Sequence, residues 1–83
     1  MKLHILKIEK SYFKDVIENK KKAELRKNDR NFEVDDLIHF TDIYGDDFHI
    51  FSNNVFRITH ILKDVPKYGL DKDYVILSIE ELR

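Results

Sequence analysis

K-K-K-A-E-L-R-K-N-D-R-N-F, from Lys20 to Phe32, is the run around which the chain is organised. It holds the densest run of functional side chains in the chain and sits where a helical pattern gives way to a strand pattern. Lys22, Glu24, Arg26 and Asn28 alternate with Ala23, Leu25 and Lys27. In an extended strand successive side chains point to opposite faces, so the first four project to one side. Glu24 and Arg26 then lie roughly 7 Å apart at Cα, twice the rise per strand residue. A carboxylate beside a guanidinium, flanked by amine and amide groups, can read a polar and partly planar ligand, because arginine offers forked donors and glutamate only accepts. The same pattern also fits a solvated strand face with an ion pair, which stabilises little.

Upstream, Leu3 to Ile8 carries apolar residues on both faces and reads as a strand buried within a sheet. Ser11 has a hydroxyl suited to an N-cap, and Tyr12, Phe13, Val16 and Ile17 recur at helical spacing, which predicts a helix over Ser11–Asn19. Asn19 is a suitable terminator because asparagine tolerates the left-handed conformation. Downstream, Val34-Asp35-Asp36 reads as a turn into a strand over Leu37–Tyr44, with Ile38 and Phe40 opposing His39, Thr41 and Ile43. Tyr44 to Asp47 is a turn by composition, Phe48 to Phe51 a short strand, and Ser52-Asn53-Asn54 a break. Val55 to Leu62 resumes as a strand with Phe56, Ile58 and Leu62 on one face. Lys63 to Lys72, containing Pro66 and Gly69, is a loop. Tyr74 to Ile79 is a strand by composition, and Glu80 to Arg83 a final turn. One helix with five or six short strands joined by tight turns implies an α+β fold: a small, mostly antiparallel β-barrel with the helix packed against it.

The totals narrow the function. The 83 residues suffice for one domain, spanning residues 1–83, with a single modest core. A hydrophobic content of 42% beside 37% charged residues is that of a folded chain. The net charge of −1 exerts no overall pull on nucleic acid, so anion binding has to come from a local patch, and Lys20 to Arg30 supplies one. The absence of cysteine excludes disulfides and thiolate chemistry. No apolar run approaches the ~20 residues of a membrane span, and Met1-Lys2-Leu3 does not open a signal-peptide core. The expected location is the cytoplasm.

Metal and nucleophile chemistries find little support. His4, His39, His49 and His60 form no close ligand pair, so no metal is expected. No serine–histidine–aspartate order and no glycine-rich phosphate loop is present, and no cofactor is expected. The pairs Asp35–Asp36 and Asp46–Asp47 are accounted for by turns. Most aromatic residues are core by spacing, Tyr12 and Phe13 among them. Tyr44 and Tyr68 fall beside loops, where they either cap the barrel ends or stack on a nucleobase.

H-x-L-K at His4 to Lys7, Y-F at Tyr12-Phe13, K-K-x-x-E-x-R-K-N-D-R-x-F-x-V at Lys20 to Val34, and Y-G-L-D-K-D-Y-V-I-L-S-I at Tyr68 to Ile79 together resemble a small ASCH/PUA-like family of bacterial and phage proteins. The resemblance covers nearly the whole chain. Asn19 and Lys22 depart from it where ASCH-type proteins often have glycine and threonine, and Asp35 does so where a Gly–Asp turn is usual. The resemblance implies a PUA-like barrel and recognition of RNA or modified nucleotides. One ASCH branch hydrolyses cytidine acylated on its exocyclic amine, with a lysine and a threonine on this segment and a distant glutamate. That lysine falls at Lys21 and the threonine position is Glu24, while the distant glutamate has no clear counterpart.

Two function classes and a third follow. A binding module would present Lys21, Glu24, Arg26, Lys27, Asn28, Asp29 and Arg30 to RNA or a nucleotide, with basic residues on phosphate and Glu24 accepting from a base edge. His4 and Lys7, if their strand is adjacent, and Tyr68 join that site. A small amidohydrolase on an acylated nucleoside would use Lys21 and Glu24 as its working pair. A phage-type module would instead bind a protein through the same surface. No membrane partner is expected, and oligomeric state is open.

Overall fold

A computed structural model describes residues 1–45 and 54–82 of the chain. The elements are β1 (Leu3–Ile8), α1 (Lys10–Ile17), β2 (Ala23–Lys27), β3 (Leu37–Asp42), β4 (Val55–Leu62), a 3-10 turn at Pro66–Tyr68, and β5 (Tyr74–Glu81). The five strands form one sheet in the order β1-β3-β4-β5-β2. β1 runs parallel to β3, and the other three pairings are antiparallel. The fold is α+β: a curled, mixed half-barrel with one helix. β1 and β2 are successive strands joined by α1, yet they end up as the two edges of the sheet. The strand expected at Phe48–Phe51, the break at Ser52 to Asn54 and the end of the Tyr44–Asp47 turn fall wholly or partly outside the described residues.

Strand alternation supplies the core. His4, Leu6 and Ile8 of β1, Ile38 and Phe40 of β3, Phe56 and Ile58 of β4, and Val75, Leu77 and Ile79 of β5 all turn inward. α1 covers them with Phe13 and Val16, and the Phe40 ring meets Phe13 and Phe56 edge-on at centroid distances of 6.1 and 5.4 Å. β4 carries a bulge at Thr59, where Ile58 pairs with Ile79 but His60 pairs with Ser78. The extra residue exchanges the faces of everything after it, so Ile61, not Leu62, packs on the core.

Several expectations change in detail. β1 is an edge strand, and its outer residues Leu3 and Ile5 are exposed, 57% and 55%, instead of buried in a second layer. An apolar run on both faces marks burial on both only where something covers the outer one. α1 begins before Ser11: Glu9 occupies the N-cap position in an extended conformation with no side-chain cap, and Phe13 N–H makes the first helical bond to Glu9 O at 3.0 Å. Burial of Phe13 and Val16 sets where this helix starts, and a serine one turn in has no part in it. β5 continues through Glu81 because Glu80 and Glu81 pair with Arg57 and Phe56.

The end of α1 follows a pattern that sequence reading identifies correctly. With Glu18 as the C-cap, Asn19 N–H donates to Val16 O (3.1 Å) and Lys20 N–H to Asp15 O (2.9 Å), the two bonds of a Schellman motif. Asn19 has the positive φ of 62° that this motif needs, and Asp35 has φ 76° in the turn before β3. Both are positions where glycine is the unstrained choice and where asparagine or aspartate is tolerated. Asn19→Ala is expected to lower stability by about 1 kcal/mol and Asn19→Gly to leave it equal or higher, as read by urea denaturation.

A second anchor ties the start of the chain to the turn before β3. Asp36, 1% exposed, accepts from His4 Nε2 (2.8 Å), Lys2 N–H (2.9 Å) and Glu33 N–H (3.0 Å), while the Phe32 ring packs on His4. Burial pushes the Asp36 carboxyl up, but the bonds from His4, Lys2 and Glu33 together outweigh it and hold the group below the ordinary aspartate value. A carboxyl that is more acidic folded than unfolded adds stability that is complete above the unfolded pKa of about 3.9 and is lost as pH falls through the lower folded value. Asp36→Asn is therefore expected to be less stable than the parent at neutral pH. The gap should narrow as pH drops below about 4, measured by thermal melts across pH.

Candidate functional site

After the Schellman turn, Lys21 N–H also donates to Asp15 O (3.0 Å), which fixes the backbone just ahead of β2. β2 then pairs with β5, placing Glu24 opposite Leu77 and Arg26 opposite Val75. Directly opposed residues share a face, and Leu77 and Val75 are core residues. The two charged side chains of the central stretch thus point to the inner side of the half-barrel, and Leu25 points out, 58% exposed. The sequence predicts this shared face, but its geometry is reached in an unexpected place, on the core side of an edge strand.

An inward carboxylate needs compensation. Glu24 is 6% exposed and holds a cation on each oxygen. Lys21 Nζ donates to Oε1 and, at 2.5 Å, to Ala23 O. Arg26 places Nε 2.7 Å and Nη2 2.5 Å from Oε2. Arg26 Nη2 also donates to Lys7 O on β1 at 2.6 Å, and Arg30 Nη1 donates to Ile5 O at 2.9 Å. Lys7 and Ile5 are alternate residues of β1, so their carbonyls point the same way; the neighbouring backbone groups, Lys2 O and Ile8 O, bond the β3 side at Leu37 and Ile43. The two edges of the half-barrel are therefore joined by guanidinium groups where a strand ladder is absent.

Beside this seam lies a cleft of about 400 Å³. Lys21, Glu24 and Arg26 form its polar wall together with Lys7, while Tyr12 and Ile43 contribute apolar surface. Among the described residues Arg26 bonds through Nε and Nη2 and not Nη1, and Lys21 uses two of its three donors, so hydrogens remain on both cations. Of the residues predicted for the site, Lys7, Lys21, Glu24 and Arg26 meet at this cleft. Arg30 stands beside the seam on Ile5 O, with Asp29 4.0 Å away. Lys27 and Asn28 are exposed at the end of β2, and Asn28 N–H is tied to Asp73 O. His4 is not brought to the cleft: it is buried on Asp36. Tyr68 is 78% exposed on the 3-10 turn, with Lys67 Nζ 5.1 Å from its ring, and does not line the cleft.

Sequence reasoning missed Tyr12 and Glu9. Tyr12 sits in a helical pattern that looks like core, yet the adjacent Phe13 takes the buried position and leaves Tyr12 52% exposed at the cleft. Adjacent helical positions lie about 100° apart, so one of two neighbouring aromatic residues can fall at the margin of the apolar stripe, and spacing alone does not say which. Among the described residues no group of three histidine or acidic side chains is placed to hold a metal, and no helix is long and apolar enough to cross a membrane.

Residues 3–79 match the family model described as Domain of unknown function (DUF3850). The chain belongs to this DUF3850 family. Among solved structures the chain is similar to the crystal structure of hypothetical protein PH0355, with a TM-score of 0.66 over 99% of this chain and 100% of that one at 17% identity. At that identity the likeness carries the fold alone. No curated protein matches the chain.

The arrangement around Glu24 yields a stability test for this DUF3850 chain. Removing one member of a fully buried ion pair costs about 3–5 kcal/mol, and here the cations are partly exposed at the side chain (22% for Arg26, 28% for Lys21). Glu24→Ala is expected to lose about 1–3 kcal/mol in urea denaturation. A loss within a few tenths of zero would mean that the carboxylate is not organising the seam.

Proposed function

We propose that this chain is an RNA- or nucleotide-binding module of the PUA-like, ASCH-type kind, with the cleft beside the β1–β2 seam as its binding site. The observation that carries the reading is that one buried carboxylate aims two cations at a concave wall, with donor hydrogens left over on each. Phosphate is recognised by such groups, arginine by its fork and lysine as a point charge. Concave sites of roughly 300–1,000 Å³ are typical for small ligands and cofactors. In this reading Lys7, Lys21 and Arg26 hold the anionic part of the ligand. Glu24 has a different task from the one its chemistry first suggests: its oxygens are committed to Lys21 and Arg26, so it orients those two and does not read a base edge.

A second reading has one specific observation in its favour, the direct contact between Lys21 and Glu24, the pair that a small amidohydrolase on an acylated nucleoside would use. In that contact Lys21 is a donor to two acceptors, whereas a base must offer a free lone pair. The binding module is therefore the preferred reading. Turnover of an acylated nucleoside by the purified protein, abolished in Lys21→Ala, would reverse this preference.

The binding reading is tested with fluorescently labelled single-stranded RNA across a salt series. The parent should bind with a salt dependence, and Lys7→Ala should weaken binding and reduce the slope of log K against log salt by about 0.7, the loss of one phosphate contact on a single strand. Lys7 is exposed, so its replacement leaves the fold intact, and Lys21→Ala should act in the same direction. Absence of binding by the parent to RNA and to nucleotides alike removes the reading.

A further inference from the structure

We infer that the first turn of α1 is the base-reading wall of this cleft: Tyr12 stacks on one unpaired base, and Glu9 accepts from that base's exocyclic amine. The inference rests on the nucleotide reading above and assigns the half of the site that the cations leave undefined. Glu9 and Tyr12 both line the cleft opposite β2: Glu9 is the extended N-cap residue of α1, and Tyr12 stands three residues on in its first turn. Tyr12 is 52% exposed, although the neighbouring Phe13 is 1% exposed, so its ring is held at the surface by a helix whose other face is fixed in the core. Ile43, 46% exposed, adds apolar surface to the same cleft. The Glu9 carboxylate makes no hydrogen bond or ion pair with the described residues, in contrast to Glu24, whose two oxygens are both occupied.

The division of labour follows from these placements. Donors are gathered on the β2 side, in Lys21 and Arg26, and they suit a phosphate or sugar oxygen. An uncommitted acceptor and an aromatic face are gathered on the α1 side, and they suit a base that carries an amine donor. A concave site of about 400 Å³ admits one splayed-out nucleotide, whereas a duplex presents its bases only along grooves that a protruding element must enter. The ligand class is thus an unpaired cytosine or adenine nucleotide, alone or within a single strand, with uracil disfavoured because it offers a carbonyl where these two offer an amine.

The experiment compares pentacytidylate, pentaadenylate, pentauridylate and an abasic ribose-phosphate pentamer by calorimetry, for the parent, Tyr12→Phe, Tyr12→Ala and Glu9→Gln. Tyr12→Phe should bind as the parent does, and Tyr12→Ala should lose roughly 5- to 100-fold on the base-bearing strands while binding the abasic strand unchanged. Glu9→Gln should erase the preference for the cytosine and adenine strands over the uridine strand. Both side chains are exposed, and a thermal melt of each variant confirms the fold. Equal affinity of the parent for abasic and base-bearing strands, or no effect of Tyr12→Ala, overturns this inference and leaves the binding reading in place. Failure of the parent to bind any of the four overturns both.

Discussion

The fold hinges on how a nearly buried carboxylate is satisfied. Glu24 faces the core side of β2 with 6% of its surface exposed, and a bare charge in that position would be expelled or neutralised. Lys21 on one oxygen and Arg26 on the other remove that problem and create a second: both cations must be held where they are. Lys21 is held from behind by the Schellman turn, through its own N–H on Asp15 O. Arg26 is held from in front by Lys7 O on the opposite edge of the sheet. One acidic side chain thereby links the end of α1, an edge strand and the strand at the other end of the sheet.

That linkage answers a difficulty of the topology. A five-strand order beginning with β1 and ending with β2 leaves two edges, and an edge strand with a row of unpaired carbonyls is a template for another chain. A closed ladder would remove it. Here the carbonyls of Ile5 and Lys7 are instead occupied by Arg30 and Arg26, which reach across from β2 and the segment after it. Planar guanidinium groups can do this because their donors diverge: one N–H meets the strand carbonyl while another meets the carboxylate. Lys21 also serves a carbonyl and a carboxylate, but both lie within its own stretch of chain, at Ala23 and Glu24.

Much of this was legible in the sequence, and the limits have physical causes. Alternation placed Glu24 and Arg26 on one face, Asn19 announced the left-handed helix end, and Val55–Leu62 was readable to the residue, because each of these depends on local conformation. The inner face of β2, the edge position of β1 and the meeting of Lys7 with Arg26 depend on which strands pair, and pairing leaves no mark within five or six residues of sequence. His4 joins the site in the sequence reading on condition that its strand lies beside it, but Asp36, far along the chain, holds its side chain in the core. Leu62 was misplaced by a bulge that pattern reading has no means to see, since one added residue at Thr59 reverses every later face. Tyr12 was assigned to the core because its periodicity is helical; only the packing of Phe13 shows that the core was already full at that turn.

The seam and the cleft are products of the same economy of donors. Arg26 has five N–H groups: Nε and Nη2 serve Glu24 and Lys7, and the two hydrogens of Nη1 are used by neither. Had β1 and β2 paired through their backbones, the Lys7 carbonyl would be taken up by the ladder and Arg26 would have none to hold. Because they do not pair, a gap persists beside the seam, and it is walled by the cations that close the sheet. An anion entering that gap meets donors that are already oriented, so little conformational freedom is lost in recruiting them. Any ligand that engages Arg26 from this side also adds to the contacts that keep the two edges together, and by linkage binding and closure of the half-barrel reinforce each other. The incomplete barrel is thus the source of the cleft and not a flaw around it.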